Sequence, residues 1–317
     1  MNFFLKVKSK LISITLYLTS IPFVPLNAYF INKYGRKCVD FSPIFIIGAP
    51  RTGSTILYQS LSNEADALYV DNLTCLLNRN LFFGFWLSNR LFKQKAHNCF
   101  KSNHGNTSKC GGHAPSECGS FWYRWLPKNR HFVDLDEIAP NELEEIKREI
   151  TAVSNYFEKP IVFKNLNAGQ RLRILAKAFP DAKIVFVRRD PLYTAQSILK
   201  AKRKLKISDN RFWSIMPPNI DELKQLDWPE QIVKQIYFLE KQIAEDLQLF
   251  PKQNVYEVSY AELSKSKITE LVSDLALNER VAYKKIRLNE RLSLLEQEVQ
   301  LIEGEIKKLD WSETYVK

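Results

Sequence analysis

Cysteine is scarce. Five residues, Cys38, Cys75, Cys99, Cys110 and Cys118, occur in a chain of 317. A count this low excludes a disulfide-built scaffold, and its odd number leans towards a reducing compartment. Internal repeats and low-complexity linkers are also missing, which excludes a solenoid and a disordered spacer. No zinc-finger, RNA-recognition or homeodomain signature accompanies the net charge of +11 and pI of about 9.3. Nucleic acid is therefore set aside as a partner. The positive balance points instead to an anionic ligand such as a phosphorylated cofactor, an acidic glycan or a membrane surface. Three of the four histidines fall with three cysteines between residues 97 and 118: His97, Cys99, His104, Cys110, His113 and Cys118. Their spacings fit no regular Cys₂His₂ or Cys₄ set, so no metal is expected. Hydrophobic residues make up 45% of the chain, enough to bury the core of one large α/β domain or two small ones.

Charge is absent from Leu11 to Asn32, after Lys6, Lys8 and Lys10. That length suffices to span a bilayer, with positive charge on its N-terminal side. Pro22, Pro25 and Asn27 argue against a span, and no small-residue cleavage site marks a removed signal peptide. Residues 1–41 are read as an N-terminal helix-turn segment, packed on the domain or lying on a membrane surface through residues 1–32. A single-pass anchor is the less favoured reading, and the expected location is cytoplasmic.

The rest of the chain is organised around residues 42–57, SPIFIIGAPRTGSTIL. Ile44 to Ile47 form an all-apolar run, the mark of a parallel strand buried on both faces. Gly48 ends the run, Gly53 follows, and an apolar helical pattern begins at Ser54. A strand, a glycine-bounded loop and a helix aim backbone N–H groups and a positive dipole end at an anion. The pattern G-x-x-x-x-G-S-T lacks the lysine of a nucleotide-hydrolysing P-loop, G-x-x-x-x-G-K-[ST]. Ser54 stands in its place, and the loop's cation is Arg51. This counts against an ordinary kinase or ATPase.

Three further strands are expected, Ile161–Phe163, Lys183–Val187 and Val255–Val258. Lys164 ends the first, where open α/β sheets bind ligands. The Lys183–Val187 strand ends in Arg188-Arg189 rather than the Asp that would hold Mg²⁺, and Ser197 lies on the helix that Pro191 starts. Two arginines at a buried strand end are costly without an anion, and the guanidinium fork suits phosphate. Leu81 to Leu91 is expected as a helix buried against the sheet, with an acceptor-pocket wall as the lesser reading. Ser116 or a neighbour would cap a helix carrying Phe121, Trp122 and Trp125. Pro140–Phe157 is expected as an amphipathic surface helix, residues 213–228 as a loop or lid, residues 229–250 as a long helix, and residues 279–317 as charged helix.

The loop APRTGSTIL resembles the 5′-phosphosulfate loop of sulfotransferases that use 3′-phosphoadenosine 5′-phosphosulfate (PAPS), especially their bacterial and carbohydrate-modifying branches. FPDAKIVFVRRDPLYTAQSIL resembles their 3′-phosphate motif, and the resemblance runs from about residue 42 to 270. It implies an α/β, P-loop-like three-layer fold with a central parallel sheet flanked by helices, spanning residues 42–317 with an acceptor-side insert at about 64–158. It implies that Pro50, Arg51, Thr52, Gly53, Ser54, Thr55, Arg189 and Ser197 bind PAPS, without metal. Ser259-Tyr260-Ala261-Glu262-Leu263 resembles the family's Y-E-D-L segment, which adds Tyr260. Lys164 matches a lysine that contacts the transferring sulfonyl group; Lys164 and Arg51 are thus catalytic candidates.

Cytosolic members continue K-T-H with histidine as base, whereas here Leu166 holds that position. The R-K-G-x-x-G segment of those members is missing too. Pro115-Ser116-Glu117-Cys118 looks like a variant of a bacterial proline–acid motif. The resemblance therefore implies Glu117 as general base, with His113 behind it. The plain alternative is that Glu117 sits in a first helical turn, where an acid suits the dipole. The implied reaction is sulfonyl transfer from PAPS, leaving PAP, to a hydroxyl or amine of a carbohydrate or lipid-linked glycan. Two other readings stand beside it: a P-loop kinase using ATP and Mg²⁺, and a non-catalytic, membrane-associated nucleotide-binding protein.

Overall fold

The computed structural model describes residues 21–36, 41–93, 95–103, 105–280, 286, 288 and 290–316. Lys6, Lys8, Lys10, Cys38 and His104 lie outside them, as do residues 11–20 of the charge-free stretch that starts at Leu11.

Among the described residues, five parallel strands form one sheet in the order β2-β3-β1-β4-β5. They are β1 (Ile44–Ile47), β2 (Leu68–Tyr69), β3 (Ile161–Lys164), β4 (Lys183–Arg188) and β5 (Val255–Ser259). The helices in chain order are α1 (Val24–Tyr34), α2 (Ser54–Glu64), α3 (Asn72–Leu76), α4 (Leu81–Phe92), α5 (Gly119–Trp122) and α6 (Pro140–Phe157). They continue as α7 (Leu172–Ala178), α8 (Pro191–Lys204), α9 (Ile220–Leu223), α10 (Trp228–Asp246), α11 (Lys265–Asp274) and α12 (Glu296–Ile306).

Strand β1 explains why the sheet is covered on both faces. Its side chains alternate direction. Phe45 and Ile47 join a core with Phe163, Ile184 and Phe186, closed by α4, α5, α6 and α7. Ile44 and Ile46 face the other way, with Val162, Val185 and Val258, against Leu57 and Leu61 of α2 and Ile268 of α11. A third apolar cluster joins α8, α10 and α12 around Ala49, just past the end of β1. The result is the three-layer, P-loop-like α/β architecture with a central parallel sheet flanked by helices. Residues 21–34 pack on the domain as a helix-turn: Phe30 stacks on Phe82 at 4.6 Å, and Asn155 Nδ2 donates to the Tyr34 carbonyl at 2.9 Å. Among the described residues no helix is long and apolar enough to cross a membrane.

Helix α4 packs Leu81, Phe82 and Phe85 into the core beside the sheet, as expected, and leaves Trp86 and Leu91 exposed. Two features depart from the sequence reading. Among its described residues, the charged C-terminal stretch is helical over Glu296–Ile306 and in a turn at Trp311–Thr314 and not elsewhere. Cys99 and Cys110 are joined in a disulfide, Cα to Cα 5.7 Å, which the low cysteine count did not anticipate.

Candidate active site

The C-terminal ends of β1, β3 and β4 open into one cleft of about 250 Å³. In-register pairing sets the edge: Ile46 lies beside Lys164 and Val185, so the residues that follow each strand converge. The loop after β1 contributes Pro50, Arg51, Gly53, Ser54 and Thr55 to the lining. Gly53 caps α2 at φ 95°, and a Cβ there would lie 2.3 Å from the Tyr260 ring. Only glycine combines that left-handed backbone with the close approach. Arg51 also has a left-handed backbone, φ 72°, which is strain held by the surrounding loop. Thr52 is turned inward: its hydroxyl donates to the Ala49 carbonyl at 2.9 Å, and the side chain is fully buried. It braces the loop, so only its backbone can meet a ligand.

Cations gather where the strands end. Arg51 Nε donates to Ser197 Oγ at 3.0 Å, and Arg189 Nη1 donates to the Arg51 carbonyl at 3.4 Å. The Arg189 guanidinium lies 4.1 Å over the Tyr260 ring. Burial, and then the nearby Arg189 charge, lower the pKa of Arg51 below its ordinary value. A cleft that crowds two guanidiniums is suited to an anion. Ser197 lies on α8, whose N-cap Asp190 accepts from Leu192 N at 2.8 Å and Tyr193 N at 3.3 Å. Arg188, the other arginine at this strand end, faces elsewhere: it pairs with Glu240 and Glu257 and lies 4.1 Å over Tyr315. Alternation along β4 sends the two neighbours in different directions.

Lys164 is buried at the end of β3, where its ammonium pairs with the Glu117 carboxylate and donates to Thr55 Oγ1 at 3.3 Å. Asn165 Nδ2 holds the Glu117 carbonyl at 3.1 Å. The N-cap of α5 is Cys118, at φ 42°, whose N–H donates to Ser116 Oγ at 3.3 Å. Glu117 therefore precedes the helix rather than occupying its first turn, and its carboxylate faces the cleft. His113 is not among the cleft-lining residues; its ring meets Tyr69 Oη at 2.8 Å and Asp71 at 3.3 Å. Leu166 lines the cleft where the resemblance would place a histidine.

Two stretches outside the motifs complete the wall, one of them from the segment expected as a loop or lid. Ser102 and Gly105 come from the loop that the Cys99–Cys110 disulfide closes. Gly105 approaches so closely that a Cβ would lie 2.5 Å from Glu117 Oε1. Trp213, Ser214 and Ile215 form the opposite wall, held by Gln235 Nε2, which donates to the Trp213 and Ile215 carbonyls at 2.9 and 2.8 Å. A buried glutamine on the apolar face of α10 is the signal that would have found this tie. Among the described residues no group of His, Cys, Asp or Glu is arranged to hold a metal ion.

The model of the sulfotransferase family matches residues 43–272. Curated proteins named omega-hydroxy-beta-dihydromenaquinone-9 sulfotransferase Stf3, from Mycobacterium bovis and Mycobacterium tuberculosis, are each 24% identical over 253 residues. The match covers 73% of this chain and 62% of those proteins, so the chain spans a little under two thirds of their length. The crystal structure of sulfotransferase STF9 from Mycobacterium avium aligns over 93% of this chain and 72% of that one, with a TM-score of 0.48 at 13% identity. By the family match across most of its length, the chain belongs to the sulfotransferase family.

Proposed function

We propose that this chain transfers a sulfonyl group from PAPS to a hydroxyl group of a lipid-borne acceptor. The observation that carries the reading is the meeting of two polar, cation-bearing groups of residues in one cleft. One is the Pro50–Thr55 loop with Lys164; the other is Arg189 with Ser197; Arg51 joins them. The strand that would end in a Mg²⁺-binding acid in a kinase ends here in Arg188-Arg189.

The residues divide the work. Loop N–H groups and the Ser54 and Thr55 hydroxyls hold the 5′-phosphosulfate end. Arg189 and Ser197 hold the 3′-phosphate, with Tyr260 fixing Arg189 in place. Lys164 turns from Glu117 to the bridging oxygen and neutralises the charge that builds there as the sulfur–oxygen bond to phosphate breaks. Glu117 accepts the acceptor's hydroxyl proton as the new sulfate ester bond forms, and PAP leaves. The chain positions and neutralises, much as in phosphoryl transfer.

For the acceptor, two lines support a hydroxyl carried on a lipid. The branch resembled favours a carbohydrate or lipid-linked glycan, and the Stf3 relatives are named for a hydroxylated dihydromenaquinone. Incubation of the full chain with ³⁵S-labelled PAPS and panels of hydroxylated lipids, lipid-linked glycans and free sugars tests this. Label is expected in a lipid fraction. PAP binding with no transfer to any panel would favour a non-catalytic nucleotide-binding protein.

A further inference from the structure

We infer that the outward faces of α1 and α4 form a docking surface for an anionic lipid bilayer. Helix α4 carries Phe83, Trp86, Leu87, Arg90 and Leu91 at helical spacing on the side away from the core. Trp86 is 39% exposed and Leu91 59%. Ile21, in the turn before α1, is 49% exposed, and Val24 and Tyr29 on α1 are 50% and 57% exposed. The two sets are contiguous: Phe23 stacks on Phe83 at 4.1 Å, and Phe83 on Trp86 at 5.7 Å. Single exposed apolar residues need no explanation, whereas a joined patch on two packed helices does.

Charge selects the partner. The first acidic residue of the chain is Asp40, so nothing acidic lies in or before α1. Residues 72–116 contain no Asp or Glu either, but hold Arg79, Arg90, Lys93, Lys95, Lys101 and Lys109. Elsewhere the surface mixes signs: Arg173 pairs with Asp134 and Asp246, and Arg203 with Asp209 and Glu298. An apolar stripe edged by cations, with acids excluded over 45 consecutive residues, matches the interface of a bilayer bearing anionic headgroups. The acid-free segment also leads to the cleft. The end of α4 lies beside the loop, with Phe92 and His113 rings 4.7 Å apart, and the same loop sends Ser102 and Gly105 into the cleft wall beside Glu117. The surface would thus present the cleft mouth to an acceptor held in the membrane, which rests on the lipid-acceptor reading above.

The test is co-sedimentation of the full chain with phosphatidylcholine vesicles, with and without phosphatidylglycerol, at low and high salt. Thermal stabilisation by PAP serves as an independent check of folding and donor binding. Binding is expected to the anionic vesicles and to fall with salt. The triple change Arg90→Glu, Lys93→Glu and Lys95→Glu should weaken it by roughly 100-fold, at about fivefold per lost cation. Trp86→Ser with Leu91→Ser should also weaken it, with PAP stabilisation unchanged in both variants. Wild-type chain that ignores both vesicle types while PAP still stabilises it would overturn this inference and leave the donor site standing. Vesicle binding untouched by both variants would move the contact elsewhere and overturn it as well. A concentration-dependent dimer that the Trp86/Leu91 variant abolishes, with no vesicle binding, would assign the patch to a second copy instead.

Discussion

Replacing Arg189 by Met separates donor recognition from stability. The change removes the guanidinium and keeps most of the aliphatic stem. In the free protein two effects oppose each other. The like charge beside Arg51 is relieved, which matters because Arg189 is the second cause, after burial, of that group's lowered pKa. The seat of Arg189 at 4.1 Å over Tyr260 is lost, a contact worth about 0.5–2 kcal/mol, together with its hydrogen bond to the Arg51 carbonyl at 3.4 Å and its ion pair with Glu290 at 3.9 Å. The melting temperature should therefore move little. Donor affinity should not be spared. A hydrogen bond from a charged donor to phosphate contributes about 1.5–3 kcal/mol, so PAP should bind roughly 10- to 150-fold more weakly. Isothermal titration with PAP, and in parallel with adenosine 5′-phosphosulfate, which lacks the 3′-phosphate, makes the loss specific. The variant should lose affinity for the first ligand and keep it for the second. Unchanged PAP affinity, or an equal loss with both ligands, would refute the placement of the 3′-phosphate at Arg189.

Glu117→Gln keeps shape and removes basicity; turnover should fall by roughly 10²–10⁴-fold while titrated PAP affinity stays unchanged. Gly53→Ala forces a Cβ into the Tyr260 ring at a left-handed backbone position; thermal melts should show a loss of at least about 1–2 kcal/mol, and PAP binding should weaken with it. His131 accepts the Met216 N–H at 2.8 Å, and burial, then Arg171, lower its pKa from 6.5 to about 4. Because folding depresses this pKa, its contribution is full above pH 6.5 and is lost as pH falls towards about 4. His131→Asn keeps an acceptor without that titration, so its melting temperature should vary less than wild type across this window.

The strands were legible where burial writes them plainly. Ile44–Ile47 and Ile184–Val187 are apolar on both faces because helices cover both sides of the sheet. Strand β2 was missed because two residues, Leu68 and Tyr69, carry no periodicity. Arg51, Lys164, Arg189, Ser197 and Tyr260 were named from motifs, and the structure lines one cleft with all five. Thr52 and Arg188 show what motif reading leaves out. A residue's place in a pattern does not say where its side chain points, and here one turns into the loop and the other across the sheet edge. The Cys99–Cys110 pairing and the Trp213–Ile215 wall depend on tertiary approach. Neither the cysteine count nor the proline-rich composition of residues 213–228 encodes it.

The proposed cleft reads a 3′-phosphorylated adenosine donor without a metal. Thermal shift of the full chain in EDTA with PAP, 5′-AMP or no ligand, and with ATP–Mg²⁺ in the absence of EDTA, tests it most directly. PAP is expected to raise the melting temperature in EDTA, 5′-AMP to do so far less, and ATP–Mg²⁺ to have no comparable effect. Stabilisation by ATP–Mg²⁺ with PAP silent would contradict the account.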